Sequence, residues 1–340
     1  MSTTLTRWFG RGALPAFAAV PILAGCEAPD LQERAEEQAE EAEEEGLLGA
    51  PGLGVLLPDG VEAPGPQDEA EPFFDAFYPL EGPVHRVTFS SDGQQLIMAY
   101  EAPEGDQPMI YQMAGDEQGW DQPTPVPIDQ DGGAESPAMS PDDAYLMWAS
   151  TQEWEHENIG HYNVWMASGS PGAWGRPVPP PGLNTLTMDA DPSLSGDGNL
   201  TFASERDGQG LDIFVANLEG GRFQDIENLG DEINSPADDR YPFFHPDEAF
   251  IVFSSDRDNP GGAQNLYITY NEGGEWTEAE PLDAVNTDAS EHAPTLAPGG
   301  EYLFFNRGDE DVYWVHAEAA GIELPGDPVA EEEDDEQVGG

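Results

Sequence analysis

Six polar residues stand at two adjacent positions of an internal repeat and carry most of the chemistry this chain offers: His85, Arg86, Glu135, Asp191, Arg240 and His292. Two imidazoles can share a metal ion or a ligand. Two carboxylates, Glu135 and Asp191, are the equipment of an inverting glycosidase if they stand several ångströms apart across a sugar. A second group sits in the segment 151–162, where Trp154, His156, His161 and Tyr162 fall close together. The zinc-protease pattern puts its second His four residues after the first, so that both imidazoles share a helix face. Here the step is five, with Gly160 beside it. That reading fails, and a loop metal site stays open. Asp129-Gln130-Asp131-Gly132 begins like a calcium loop but lacks the third ligand, the closing glutamate and a flanking helix. Asp256, Asp258 and Asn259 form another oxygen-rich cluster, so calcium is kept as an alternative to no cofactor at all. No nucleophile elbow, phosphate-cradling glycine loop or cysteine metal cluster is present.

What must position these residues is the repeat itself. Five turns align without gaps, at Ser90-Ser91-Asp92-Gly93, Ser140-Pro141-Asp142-Asp143, Ser195-Gly196-Asp197-Gly198, His245-Pro246-Asp247-Glu248 and Ala297-Pro298-Gly299-Gly300, spaced by 50, 55, 50 and 52 residues. Each leads into an alternating apolar run, then a third run such as Asn163-Val164-Trp165 or Asn265-Leu266-Tyr267. A fourth is announced by Trp120, Trp174, Phe223 and Trp276, in the first four units only. β-Branched and aromatic runs bounded by Gly, Pro, Asp and Asn are strands and tight turns. Four strands per unit at this period are propeller blades. The expected fold is all-β: a single β-propeller over 73–324, of about five four-stranded blades. The Asp of each turn holds its own backbone, and the aromatics pack between blades. The innermost strands start at one mouth of a central channel, so the first six residues should ring it. His85 and His292 would meet on neighbouring blades. The segment 151–162 is the longest insertion between second and third strands, where a repeat protein usually places a specific contact.

The turn pattern, together with Ser204-Glu205-Arg206, Ser255-Asp256-Arg257, Asn234-Ser235 and Asn286-Thr287, resembles the TolB-like, or WD-like, propeller repeats of bacterial envelope proteins. The resemblance covers residues 84–316 and specifies fold far more than function. It implies a periplasmic or surface-facing scaffold that docks an envelope protein or a peptidoglycan component. Five-bladed propellers also include glycoside hydrolases, and related repeats occur in pectin-fragment lyases that use His-bound metal; a hydrolase or polysaccharide lyase acting at the channel mouth is the alternative.

The chain ends differ from the repeat. Arg7 and Arg11, an apolar stretch from Ala13 to Leu23 and the small residues before Cys26 make a secretory signal over 1–25, too short to span a bilayer. Leu23-Ala24-Gly25-Cys26 resembles the lipobox of bacterial lipoproteins, which implies lipidation of Cys26, and Glu27 after it leans towards the outer membrane. Residues 26–72 read as an acidic, Gly- and Pro-rich spacer, and 325–340 as an acidic tail. Overall 69 Asp and Glu face 10 basic residues, every one Arg, for a net charge of -59. Such a charge repels nucleic acid and anionic lipid, so the membrane is touched through lipid alone. Adaptation to high salt and calcium binding both remain open as reasons for it. The expectation is a monomeric, non-enzymatic scaffold.

One anomaly concerns closure. The fifth unit lacks a fourth-strand aromatic, while 73–80 is a spare aromatic segment ahead of the first unit. Residues 77–80 are therefore expected to pair beside 312–315 as the last outer strand, with 321–324 as the rival segment.

Overall fold

The β-rich runs, the turn residues and the absence of a helical stripe fold as the repeat requires. A computed structural model describes residues 57, 63–76, 78–103, 105–116, 119–153, 160–208, 210–308 and 311–325. Cys26 and the acidic tail lie outside them. Five small antiparallel sheets succeed one another, a five-bladed β-propeller. The first blade runs outward as Val84–Phe89, Gln95–Tyr100, Met109–Asp116, with Gly119–Trp120 and Thr124–Pro125 on its rim. The second is Ala134–Met139, Tyr145–Ser150 and Asn163–Ser168, its outer position reduced to one bridge between Met166 and Val178. The third is Asp189–Leu194, Leu200–Ser204, Asp212–Glu219 and Arg222–Asn228, and the fourth is Asp239–Phe244, Phe250–Ser255, Asn265–Tyr270 and Glu280–Pro281. The fifth, Glu291–Leu296, Tyr302–Arg307 and Asp311–His316, takes its outer strand from Glu71–Pro72. Side chains from facing sheets fill the gaps between blades, so the core is a ring of apolar clusters rather than one centre.

Three devices, repeated from blade to blade, explain the sequence pattern. In the first two blades the turn Asp holds its own turn: Ser90 Oγ donates to Asp92 Oδ1 at 2.5 Å, and Gln94 N to the same oxygen at 3.0 Å. Ser140 and Asp142 repeat this at 2.6 Å. Asp143 and Glu248 occupy the left-handed position (φ 58° and 59°) where Gly93, Gly198 and Gly300 stand in the other turns. That conformation is unfavourable for a side chain, and both carboxylates gain bonds from it. Ser91 N and Oγ donate to Asp143 across the first blade gap, and Ser195 Oγ donates to Glu248 across the third. The second device is a side-chain amide before each new blade. Gln130, Asn184, Asn234 and Asn286 each accept from one backbone N–H, of Ile110, Val164, Ile213 and Leu266, and donate to the same residue's carbonyl. Each amide thus stands in for one residue of a further strand.

The third device explains the arginines. Arg206 Nη2 donates to Asp189 at 2.7 Å, Arg257 Nη2 to Asp239 at 2.7 Å and Arg307 Nε to Glu291 at 2.9 Å. These three carboxylates are 0 % exposed. Each arginine also donates to a loop carbonyl and lies over aromatic rings, as Arg257 does over Tyr267 at 4.4 Å. The Ser-Glu-Arg and Ser-Asp-Arg signatures are therefore structural.

Closure differs from expectation in its segment, not its principle. Glu71 pairs with Trp314 and Pro72 with Tyr313, and Phe73 N donates to Val312 O at 2.8 Å. Phe77 lies outside the described residues. The chain reverses in a short helical turn at Phe74–Ala76, and Leu80 packs against the first blade's core instead of pairing. The rival 321–324 does not pair either. It follows a short helix, Ala317–Ala320, and Glu323 N donates to the Tyr270 hydroxyl of blade 4. Phe73 supplies the fourth-strand aromatic missing from the fifth unit: it is 0 % exposed, with its ring 4.8 Å from Phe304 and 5.3 Å from Trp314. The edge must therefore form just before Phe73. The spacer yields Glu71 and Pro72 to the propeller, and Leu57 and Ala63 also rest on that cluster.

Candidate functional site

The inner strands of blades 2 to 5 share a break in pairing at the same place, between Glu135 and Ala138, Ala190 and Ser193, Arg240 and Phe243, and His292 and Thr295. At each break stands a proline, which has no N–H to give the ladder. The residue before it is left-handed: Ser136 (φ 52°), Asp191 (55°), Tyr241 (51°) and Ala293 (53°). A non-glycine residue there costs about 1–3 kcal/mol, and a bulge re-aims side chains. Four such bulges lie around one channel. Blade 1 has Val87 where the others have proline; its register shift falls earlier, between Val84 and Arg86, and Arg86 itself pairs with Ala99.

The bulges bring most of the expected ring together. Ser136 Oγ donates to Asp191 Oδ1 at 2.6 Å, and Arg240 Nε to Asp191 Oδ2 at 3.1 Å. Arg240 lies 4.4 Å from the Tyr241 ring, which faces His292 at 5.7 Å. Arg86, 1 % exposed, crosses from blade 1 to give Nη2 to Pro242 O of blade 4 at 3.0 Å. Those blades are not neighbours, so this guanidinium plugs the channel. Above it the rim carries Glu135, Arg240, His292 and His85. Tyr162, from the long insertion, donates its hydroxyl to Glu135 Oε1 at 2.7 Å, which joins the two candidate groups of the sequence into one. His161 is partly buried beside it; Trp154 and His156 lie outside the described residues. His85 turns to its own blade, Nε2 4.0 Å from Glu101, while His292 rests on Tyr241.

Electrostatics follow from this packing. Burial pulls Arg86 down to about 10, with Asp191 and Tyr241 working the other way. Burial works most strongly against the charge on Arg240, but its neighbours together, Asp191 first and Glu135 among them, outweigh it and hold the guanidinium above its usual range. Tyr241 is pushed up to about 12, chiefly by burial, and Tyr162 is raised by burial and by Glu135. Both phenols are neutral donors at ordinary pH. Asp191 has donors on both oxygens, from Ser136 on one and from Arg240 and the Tyr241 N–H on the other.

Among the described residues no three His, Cys, Asp or Glu are placed to hold a metal ion. Asp256 accepts from Asp238 N and Gly261 N, and Asp258 from the Tyr267 hydroxyl. Gln130 is the amide clamp described above. Sequence reasoning put Asp191 in the ring but missed Ser136 and Tyr241 as its partners. The repeated proline was the available signal, since it marks where a strand must bulge.

The fold and this mouth define a class: a closed five-bladed β-propeller with a plugged channel and a polar, partly basic rim. No protein-family model matches the chain, and no curated protein does. Solved structures of similar shape include a protein assigned as TolB from Agrobacterium tumefaciens, with 18% identity, a TM-score of 0.47, and 70% of this chain and 78% of that one covered. Another is the gluconolactonase XC5397 of Xanthomonas campestris, with 12% identity, a TM-score of 0.44, and 68% and 71% covered. A prolyl endopeptidase matches at 15% identity and a TM-score of 0.37, over 72% of this chain but only 36% of its own. These likenesses concern shape. They correct one expectation: the structures of similar shape include a gluconolactonase and a prolyl endopeptidase, so the expected non-enzymatic character does not stand.

Proposed function

We propose that this protein is an envelope lipoprotein, tethered through Cys26, whose propeller binds a protein or cell-wall component at the channel mouth. The observation that carries the reading is the Tyr162–Glu135 bond. It draws Tyr162, at the end of the longest connection between a second and a third strand, onto the ring that holds Arg240, Asp191 and His292. A rim of two phenols, two imidazoles and a guanidinium offers donors and flat faces to a ligand, above a buried, hydrogen-bonded layer. The N-terminal charge pattern and lipobox-like residues support the tether, and among the described residues no helix is long and apolar enough to cross a membrane.

Site-specific photo-crosslinking tests this in intact cells. A photoreactive residue at His161, on the rim, should give a discrete adduct, and one at Asp197, in a turn at the other end of the inner strands, should not. Adducts from position 197 with none from position 161 would place the binding face elsewhere.

A further inference from the structure

Four arginines of the propeller serve carboxylates, and the buried Arg86 does not. Arg206, Arg240, Arg257 and Arg307 each bind Asp or Glu directly. Arg86 binds the Pro242 carbonyl, and its Nε and Nη1 have no hydrogen-bond partner among the described residues. Both atoms are closed off from solvent in the channel.

The charges around Arg86 point the same way. Arg240 has both Asp191 and Glu135 near it. Arg86 is in ion-pair contact with no carboxylate among the described residues, and the oxygens of Asp191, the carboxylate that acts on it, are taken by Ser136, Arg240 and the Tyr241 N–H. A buried charge without a partner is strongly destabilising. Buried donors without acceptors add to that. A chain with 69 acidic residues had many chances to place a carboxylate here, yet the facing bulge positions carry Ser136 and Ala293.

We propose that the channel binds a small monovalent inorganic anion of the halide class at Nε or Nη1 of Arg86, as the counter-ion this guanidinium lacks. The site lies below the rim and does not depend on what the rim binds. It makes stability respond to the identity of the anion as well as to ionic strength. Screening of surface carboxylates acts in any salt, whereas a bound anion stabilises in proportion to the logarithm of its own concentration above its Kd.

The full-length protein, purified and crystallised in sodium bromide, tests the proposal. An anomalous peak within hydrogen-bonding reach of Arg86 Nε or Nη1 is expected. Density there without anomalous signal would mean water and overturn it. In solution, Tm should stand several degrees higher in chloride than in gluconate at equal ionic strength, and Arg86→Gln should abolish that difference. A chloride gain kept intact in Arg86→Gln would also overturn the site. If that variant does not fold, the bromide crystal of the unaltered protein still decides.

Discussion

Phe73→Ala should destabilise the propeller by about 3–5 kcal/mol, the range for removing a buried aromatic from a core that cannot collapse around the gap. The ring packs edge-on against Phe304 and Trp314 and meets Phe74 and Phe89, so it joins the last blade to the first. Its loss leaves a cavity at the seam and loosens a strand of two residues that has little else to hold it. An opened seam exposes the edge of Asp311–His316, and exposed edges pair with other chains. Denaturant unfolding, followed with size-exclusion chromatography, should show the stability loss together with oligomers. Tyr78→Ala, at a half-buried position beyond the turn, should cost much less. A larger loss from Tyr78→Ala than from Phe73→Ala would mean that the seam is closed by the later segment.

Asp239→Ala is expected to cost a similar amount, about 3–5 kcal/mol, because it strands a charge. Asp239 accepts from Arg257 Nη2 at 2.7 Å, and from Ser235 N and Oγ at 2.6 and 2.9 Å. Its removal leaves the Arg257 guanidinium over Phe253 and Tyr267 without its anion and frees the loop that starts blade 4. Asp239→Ala combined with Arg257→Leu should recover part of the loss, since removing both charges also removes the desolvation penalty. By contrast Asp197→Ala, on an exposed turn, should change stability by no more than about 0.5 kcal/mol. Equal effects from the two aspartates would contradict a structural role for the buried pair.

The five turns were legible because turn-forming residues, chiefly Pro, Asp and Gly, recur at fixed steps and describe one local geometry whatever surrounds it. Blade number followed from their period. Closure was misplaced because it is decided by which aromatic fills the seam. Phe73, Phe74 and Phe77 are equivalent in composition, and only the gap between Phe304 and Trp314 chooses among them. The Arg206 and Arg257 signatures identified the repeat without disclosing that they neutralise Asp189 and Asp239, because those partners lie 17 and 18 residues away in sequence. At the mouth, the positions of Glu135, Asp191, Arg240 and His292 could be read from the alignment of the repeats. Their bonds could not. Whether Asp191 faces Ser136 and Arg240 depends on the left-handed residue before Pro192, and whether Tyr162 reaches Glu135 depends on the path of an insertion that no other blade shares.

The whole site presumes a closed circle, and a disulfide trap tests closure most directly. Pro72 and Tyr313 are partners, while the next pair, Phe73 and Val312, exchanges the hydrogen bond. Pairs alternate along an antiparallel ladder, so 72 and 313 form a close, non-hydrogen-bonded pair whose Cα separation of about 4.5 Å suits a disulfide. In a Cys26→Ser background, Pro72→Cys with Tyr313→Cys should oxidise to a monomeric, faster-migrating species, and Leu80→Cys with Tyr313→Cys should stay reduced. A trap formed by 80 and 313, or only disulfide-linked dimers from 72 and 313, would show that Glu71–Pro72 does not close the ring.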